Sequence, residues 1–242
     1  MSSIESVKKE LRDLQDIYVP NLDTQRHIRN ISIGMLIGPT CVGKSTIIKL
    51  ATDIDAKFSN PGGFTDREKR VEDAKSYRHL PPTLETCERL LREVNDGEPV
   101  QYNVYDTGDV YGSEIQDYTT PYSLLDTQFS AVKNMQRAGF KAAVPIAVVC
   151  YPEQFVSQLH GRFGNDLKQP KTAKRLLEAQ NSMEWLLDNK TAVAWVINRA
   201  GKARSAANEV IKLVNGEFQP LPNSNNIGER LYKRIRAINA GL

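Results

Sequence analysis

Cysteine is scarce in this chain. Only Cys41, Cys87 and Cys150 occur among 242 residues. They are odd in number and far apart, with no Cys-x-x-Cys or Cys/His spacing, which argues against a disulfide framework or a zinc site and fits a reducing, cytoplasmic compartment. Net charge is also lacking. The 32 Lys and Arg against 29 Asp and Glu leave +3, too little to point to nucleic acid or a membrane surface, although a local basic cluster could still hold phosphate. No apolar run reaches membrane-spanning length, and the polar N-terminus does not read as a secretory signal. What remains is an ordinary globular composition, 40% hydrophobic and 25% charged. The length suits one large α/β domain or two small ones, with enough buried surface to need no covalent staples.

The order of elements follows from periodicity. Ile4, Val7, Leu11, Leu14 and Tyr18 recur at helical spacing over residues 4–18. Residues 31–37 form an apolar run that predicts a buried strand, and 43–51 a helix after it. Residues 60–82, rich in Gly, Pro and charge, predict a loop or small subdomain. Leu84, Cys87, Leu90, Leu91 and Val94 make a helical face closed by Asn95-Asp96-Gly97. "VQYNVYDTGDVYGSE" reads as two β segments around Thr107-Gly108. Leu125, Phe129, Val132 and Met135 recur with helical period up to Gly139. Inner strands are predicted at 144–150 and 192–197, and helices at 152–163, up to 188 after a basic, proline-broken segment at 168–174, and at 203–214. A Pro/Asn linker at 219–226 leads into a basic helix at 227–238. Buried strands alternating with helices predict an α/β fold with a parallel sheet covered on both faces.

One motif carries chemistry outright. Gly38-Pro39-Thr40-Cys41-Val42-Gly43-Lys44-Ser45-Thr46 fits Gly-x-x-x-x-Gly-Lys-Ser/Thr, after an apolar strand and before a helix. The glycines let the backbone turn with positive φ and approach an anion. Loop amides and the helix N-terminus then make a nest for phosphate oxygens. Lys44 would neutralise the β- and γ-phosphates and Ser45 would ligate Mg²⁺. Cys41 reads as a small residue that fits the loop. A GTPase would need Asn-Lys-x-Asp, but Asn189-Lys190-Thr191-Ala192 lacks the aspartate, and Asp109-Val-Tyr-Gly112 matches Asp-x-x-Gly over too short a span to count.

Beyond the loop, the chain resembles the guanylate kinase family over roughly residues 31–215. "FTDREKR" resembles its Thr-Thr-Arg-x-x-Arg, which implies Arg67 and Arg70 as the clamp on an acceptor nucleotide's phosphate. "SYRHL" implies Tyr77 at the same phosphate. "VYGS" implies Tyr111 and Ser113 at the acceptor's phosphate and base. "QLHGRFG" and "TAKRLLEAQ" resemble the lid and imply Arg162 and Arg175 as its arginines. "VAWVIN" resembles the strand before the adenine contact, with Asn198 at its end. Asp126, closing "SLLD", is the strand-ending acid of the acceptor set in the family's register, with Asp106 as its competitor; a strand-end aspartate near Mg²⁺ fits the general design of such sites.

The resemblance implies a three-layer P-loop sandwich carrying a small acceptor-binding subdomain at about 60–120 and a lid at about 161–175. A helical extension (1–30) would precede it, and a linker with a basic helix (216–242) would follow. It further implies ATP and Mg²⁺ as cofactors, a small nucleotide, GMP or dGMP, as acceptor, and no nucleic-acid or membrane partner. Oligomeric state is left open. At Gln101 this sequence has an amide where the family has a base-reading glutamate, and Gly63 stands where the family has a serine. A neutral amide gives up a charge-assisted bond of about 1.5–3 kcal/mol. That keeps three alternatives in play: a kinase for another acceptor, a non-catalytic interaction module, and a regulatory ATPase.

Overall fold

The computed structural model describes residues 3–69, 77–105, 107–217 and 224–241. In chain order the elements are α1 (Ile4–Gln15), α2 (Leu22–Ile28), β1 (Ser32–Ile37), α3 (Lys44–Ile54), β2 (Phe58–Ser59), β3 (Phe64–Thr65), β4 (Arg78–His79) and α4 (Leu84–Asn95). They continue with β5 (Gln101–Val104), β6 (Val110–Ser113), β7 (Tyr122–Asp126), α5 (Val132–Arg137), β8 (Ala142–Val149) and α6 (Pro152–Phe163). The last are α7 (Pro170–Asp188), β9 (Ala194–Ile197), α8 (Ala203–Val214) and α9 (Ser224–Ala240). Leu125, expected to open a helix, lies instead on β7, and the helical period is realised only from Val132. Thr127 N–H donates to the Leu36 carbonyl of β1 at 3.1 Å, so sheet pairing overrides the local helical spacing there.

The chain divides into two compact units. The first comprises residues 1–33, 59–123 and 130–143, the second residues 34–58, 124–129 and 144–242. Among the described residues no helix is long and apolar enough to cross a membrane.

The second unit is organised on a five-stranded parallel sheet of order β2-β7-β1-β8-β9. All six residues of β1 are buried, as strands covered on both faces require. A Cβ on Gly34 would lie 2.6 Å from Val214 of α8, 2.8 Å from Leu124 of β7 and 3.3 Å from Ile146 of β8. Helix α8 therefore rides close over that face. In the β8–β9 register Ile146 pairs with Ala194 and Ala147 with Trp195, so Ile146 and Trp195 point to opposite faces. A Cβ on Gly228 would meet the Trp195 ring at 2.5 Å, which puts α9 on the face opposite α8. The result is a three-layer α/β sandwich.

The first unit holds a four-stranded sheet of order β4-β3-β6-β5, with β3/β4 parallel and β3/β6 and β5/β6 antiparallel. Alternation divides it into two chemistries. Phe64, Tyr102, Val104 and Val110 share the face that packs with Leu11 and Tyr18 of the N-terminal segment and Leu90 and Val94 of α4. Gln101, Asn103, Tyr111, Ser113 and Thr65 share the other. Helix α1 thus completes a core rather than trailing from it. Its Val7 and Leu11 are buried, Tyr18 meets Tyr102 edge-on at 4.9 Å, and the Tyr102 hydroxyl donates to the Leu11 carbonyl at 2.9 Å.

Candidate functional site

The loop between β1 and α3 has the conformation that its glycines predict. Gly38 has φ +154°, and a Cβ there would stand 2.3 Å from the Val148 carbonyl oxygen of β8. Gly43 has φ +88°, and a Cβ there would stand 2.4 Å from Asn198 Nδ2. No other residue type fits either place. Cys41 also takes a positive φ, +66°, a conformation that a side chain disfavours by about 1–2 kcal/mol and that clusters at ligand sites. Gly43 caps α3 without a side-chain hydrogen bond, so no capping side chain takes the first-turn amides of α3.

Side chains converge on this loop from three further elements. Lys44 Nζ donates to the Gly38 and Pro39 carbonyls at 2.8 and 2.9 Å and lies 3.6 Å from Asp126 Oδ1. Ser45 Oγ donates to Asp126 Oδ2 at 3.5 Å. Asp126 ends β7, the neighbour of β1 in the sheet, so the two strands end side by side. Its carboxylate therefore stands with Lys44 and Ser45, in the unit that carries the loop; Asp106 lies outside the described residues. Asn198 follows β9. It is buried, and its Nδ2 donates to the Val42 carbonyl at 2.8 Å. Its side chain braces the loop from beneath. Ser45 and Thr46 are exposed, and Thr40, Cys41 and Lys44 half-buried. Cys150, where β8 ends, has its thiol pushed up to about 12 by burial and is inert as a nucleophile.

The first unit gathers a second set. Arg67 is buried, and its Nε donates to the Tyr111 hydroxyl at 2.6 Å. The Tyr111 ring stacks on Tyr105 at 4.5 Å and takes Tyr77 edge-on at 5.6 Å. Arg67, Tyr77 and Tyr111 are therefore together; Arg70 lies outside the described residues. Gln101 and Ser113 are register partners across β5 and β6, both buried. Ser113 Oγ lies 2.8 Å from the Tyr118 hydroxyl. Asn103, one step along the same face, donates from Nδ2 to Ser130 Oγ at 3.0 Å, and its Oδ1 is buried with no hydrogen-bond partner among the described residues. Gly63 has a physical reason for differing from serine, since a Cβ there would lie 2.5 Å from the Gly112 carbonyl oxygen.

Arg162 and Arg175 sit on consecutive helices. Arg162, in the last turn of α6, is exposed, with its guanidinium 5.5 Å from the Phe163 ring centroid. Arg175, in α7, donates to Glu178 at 2.8 Å.

The chemistry available at the loop is anion binding beside a hard-ligand pair. Ser45 and Asp126 supply adjacent hydroxyl and carboxylate oxygens, the donor types Mg²⁺ prefers. Among the described residues no group of three or more His, Cys, Asp or Glu could hold a metal by itself. The oxygen pair fits an ion that takes its remaining ligands from phosphate and water.

No protein-family model matches the sequence. No curated protein matches it. Solved structures similar to this chain include the guanylate kinase from Anaplasma phagocytophilum, 13% identical, covering 80% of this chain and 88% of that one at a TM-score of 0.48. They also include HypB from Helicobacter pylori in complex with nickel, 12% identical, covering 92% of this chain and 100% of that one at a TM-score of 0.34. With a phosphate loop between the buried strand β1 and the helix α3, on a parallel sheet covered on both faces, the fold is that of a P-loop NTPase.

Proposed function

We propose that this protein is a nucleotide kinase that transfers the γ-phosphoryl group of ATP to a nucleoside monophosphate, with GMP or dGMP as first candidates. The loop supports an ATP donor. The observation that carries the step from binding to transfer is the second set, Arg67 bonded to Tyr111 with Tyr77 against its ring. A nucleotide-binding protein that merely held or hydrolysed ATP would need no second phosphate clamp.

In this mechanism Lys44 and the loop amides hold the donor's β- and γ-phosphates. Ser45 and Asp126 would hold Mg²⁺, which draws charge from the phosphate oxygens. Arg67, Tyr77 and Tyr111 hold the acceptor's phosphate. An oxygen of that phosphate attacks the γ-phosphorus, the bond to the β,γ-bridging oxygen breaks, and ADP leaves with that electron pair. Arg162 and Arg175 neutralise charge on the moving group. The protein contributes position and electrostatics rather than covalent chemistry.

A second reading has its own observation. Gln101 and Asn103 present neutral amides on the polar face. An amide pairs with any base edge offering one donor beside one acceptor, adenine included, and so favours a kinase for another nucleotide. The test supplies ATP, Mg²⁺ and each nucleoside monophosphate in turn and measures diphosphate formed. GDP from GMP or dGMP supports the first reading, and turnover with a different acceptor alone supports the second. ATP hydrolysis indifferent to acceptor sinks both. Lys44→Ala should abolish all transfer.

A further inference from the structure

Helix α1 does more than close a core. Its apolar stripe, Val7 and Leu11, is buried, while Lys8, Arg12 and Gln15 lie one turn apart along a neighbouring stripe. All three reach the β5–β6 hairpin. Lys8 Nζ donates to the Gly108 carbonyl at 2.8 Å, Arg12 to the Tyr105 carbonyl at 3.1 Å, and Gln15 Oε1 accepts from Val104 N–H at 2.8 Å.

Lys8 makes the decisive contact. Its ammonium lies 2.5 Å from Asp66 Oδ2, and the Asp66 side chain is fully buried. The other carboxylate oxygen accepts the Val110 amide at 2.7 Å. Asp66 is the residue before Arg67, and Val110 the residue before Tyr111. The Asp66 carboxylate thus ties together the two backbone positions that set Arg67 and Tyr111, and Lys8 is the cation paired with it. Behind it, Arg12 fixes the carbonyl of Tyr105, whose ring stacks on Tyr111. A carboxylate this deeply buried is costly unless paired, so loss of the Lys8 ammonium would leave its charge uncompensated.

We infer that Lys8, acting through Asp66, is a positioning residue for the Arg67–Tyr111 clamp, and that α1 is part of the acceptor-binding apparatus. This rests on the reading of Arg67 as the acceptor-phosphate clamp. Lys8 touches no substrate. Its effect is to hold the backbone at 66–67 and 110–111 where the guanidinium and the phenol meet.

The experiment uses the full chain and measures GMP and ATP dissociation constants, kcat, and KM for GMP. Lys8→Met strands the Asp66 carboxylate. It should raise the dissociation constant and KM for GMP by about tenfold to a hundredfold, the scale of a small misplacement at a site, with ATP affinity unchanged. Lys8→Arg should largely restore GMP binding. Lys8→Met combined with Asp66→Asn should lose less than Lys8→Met alone, because no stranded charge remains. Equal losses for ATP and GMP mean a structural role only and overturn the inference. So does a Lys8→Met protein that binds GMP normally while Arg67→Ala does not, an outcome that leaves the kinase reading intact. If Arg67→Ala binds GMP as the wild type does, or if the wild type does not bind GMP, the clamp reading fails and this inference falls with it. Should Lys8→Met not fold, the conservative Lys8→Gln, with the same three measurements, takes its place.

Discussion

At the scale of single residues, the site depends on groups that hold other groups. Lys44 and Ser45 are legible in the sequence because a phosphate loop demands those residue types at that spacing. Asn198 is a different case. The family resemblance places it at the adenine, whereas its buried side chain donates to the Val42 carbonyl beneath the loop. Asn198→Ala would leave that carbonyl buried and unpaired, a cost of about 1–3 kcal/mol. The expected result is a Tm lower by several degrees together with weaker ATP binding. Asn198→Asp should not rescue it, since a carboxylate has no proton to donate. Thermal melts and ATP titrations of the two variants check this. An unchanged Tm with altered preference between ATP and GTP would instead put Asn198 at the base. Nothing local marks Asp66 or Lys8, because an ion pair between distant segments leaves no periodic trace in either.

At the scale of elements, the N-terminal helix is a cover for an edge. Strand β5 is the outer strand of its sheet, and an uncovered edge presents unpaired amides. Gln15 of α1 accepts one of them, from Val104. Gln15→Ala should cost about 1 kcal/mol and speed hydrogen exchange at the Val104 amide. Gln15→Glu, which keeps an acceptor, should leave that exchange near the wild-type rate. Unaltered exchange in Gln15→Ala would show that something else protects the edge. The elements differ in how well they could be read in advance. Residues 203–214 form the expected helix, because their apolar spacing is regular and a glycine, Gly201, stands just before them. The loop flanks, β1 and α3, are equally plain. The stretch 124–135 is not, since Leu125, Phe129, Val132 and Met135 satisfy a helical period while the first of them is taken into a strand by its pairing with β1. Helix α2 is missed for the opposite reason. It has seven residues and only two buried, Thr24 and Ile28, too few to make a stripe. The two segments of the β5–β6 hairpin are plain in the sequence, but which residues share its polar face follows from the register with β3.

At the scale of the whole molecule, the proposed roles divide between the two units. Gly38 to Thr46, Asp126, Arg162, Arg175 and Asn198 belong to the second, and Arg67, Tyr77, Gln101, Tyr111 and Ser113 to the first. The first unit has a built-in reporter of its integrity. Tyr18, Tyr102 and Tyr118 are buried there, and burial, the largest cause for each, raises all three hydroxyls well above their ordinary value near 10. Below pH 10 these groups are neutral whether the protein is folded or not, and they contribute no pH dependence. Above it the unfolded chain ionises and the folded one does not, so the unfolded state binds fewer protons and stability falls as pH rises. Three such groups give a slope of up to about 4 kcal/mol per pH unit. Absorbance of tyrosinate near the alkaline limit should therefore rise for these three in one cooperative step, coincident with loss of far-ultraviolet circular dichroism. Tyr118→Phe removes one of the three protons and should lower the slope by about a third. A gradual ionisation of Tyr18, Tyr102 and Tyr118 with the dichroism intact would mean that these hydroxyls open to solvent in the folded state. The packing of α1 against β5, on which the positioning of Arg67 depends, would then be looser than the Tyr102-to-Leu11 hydrogen bond requires.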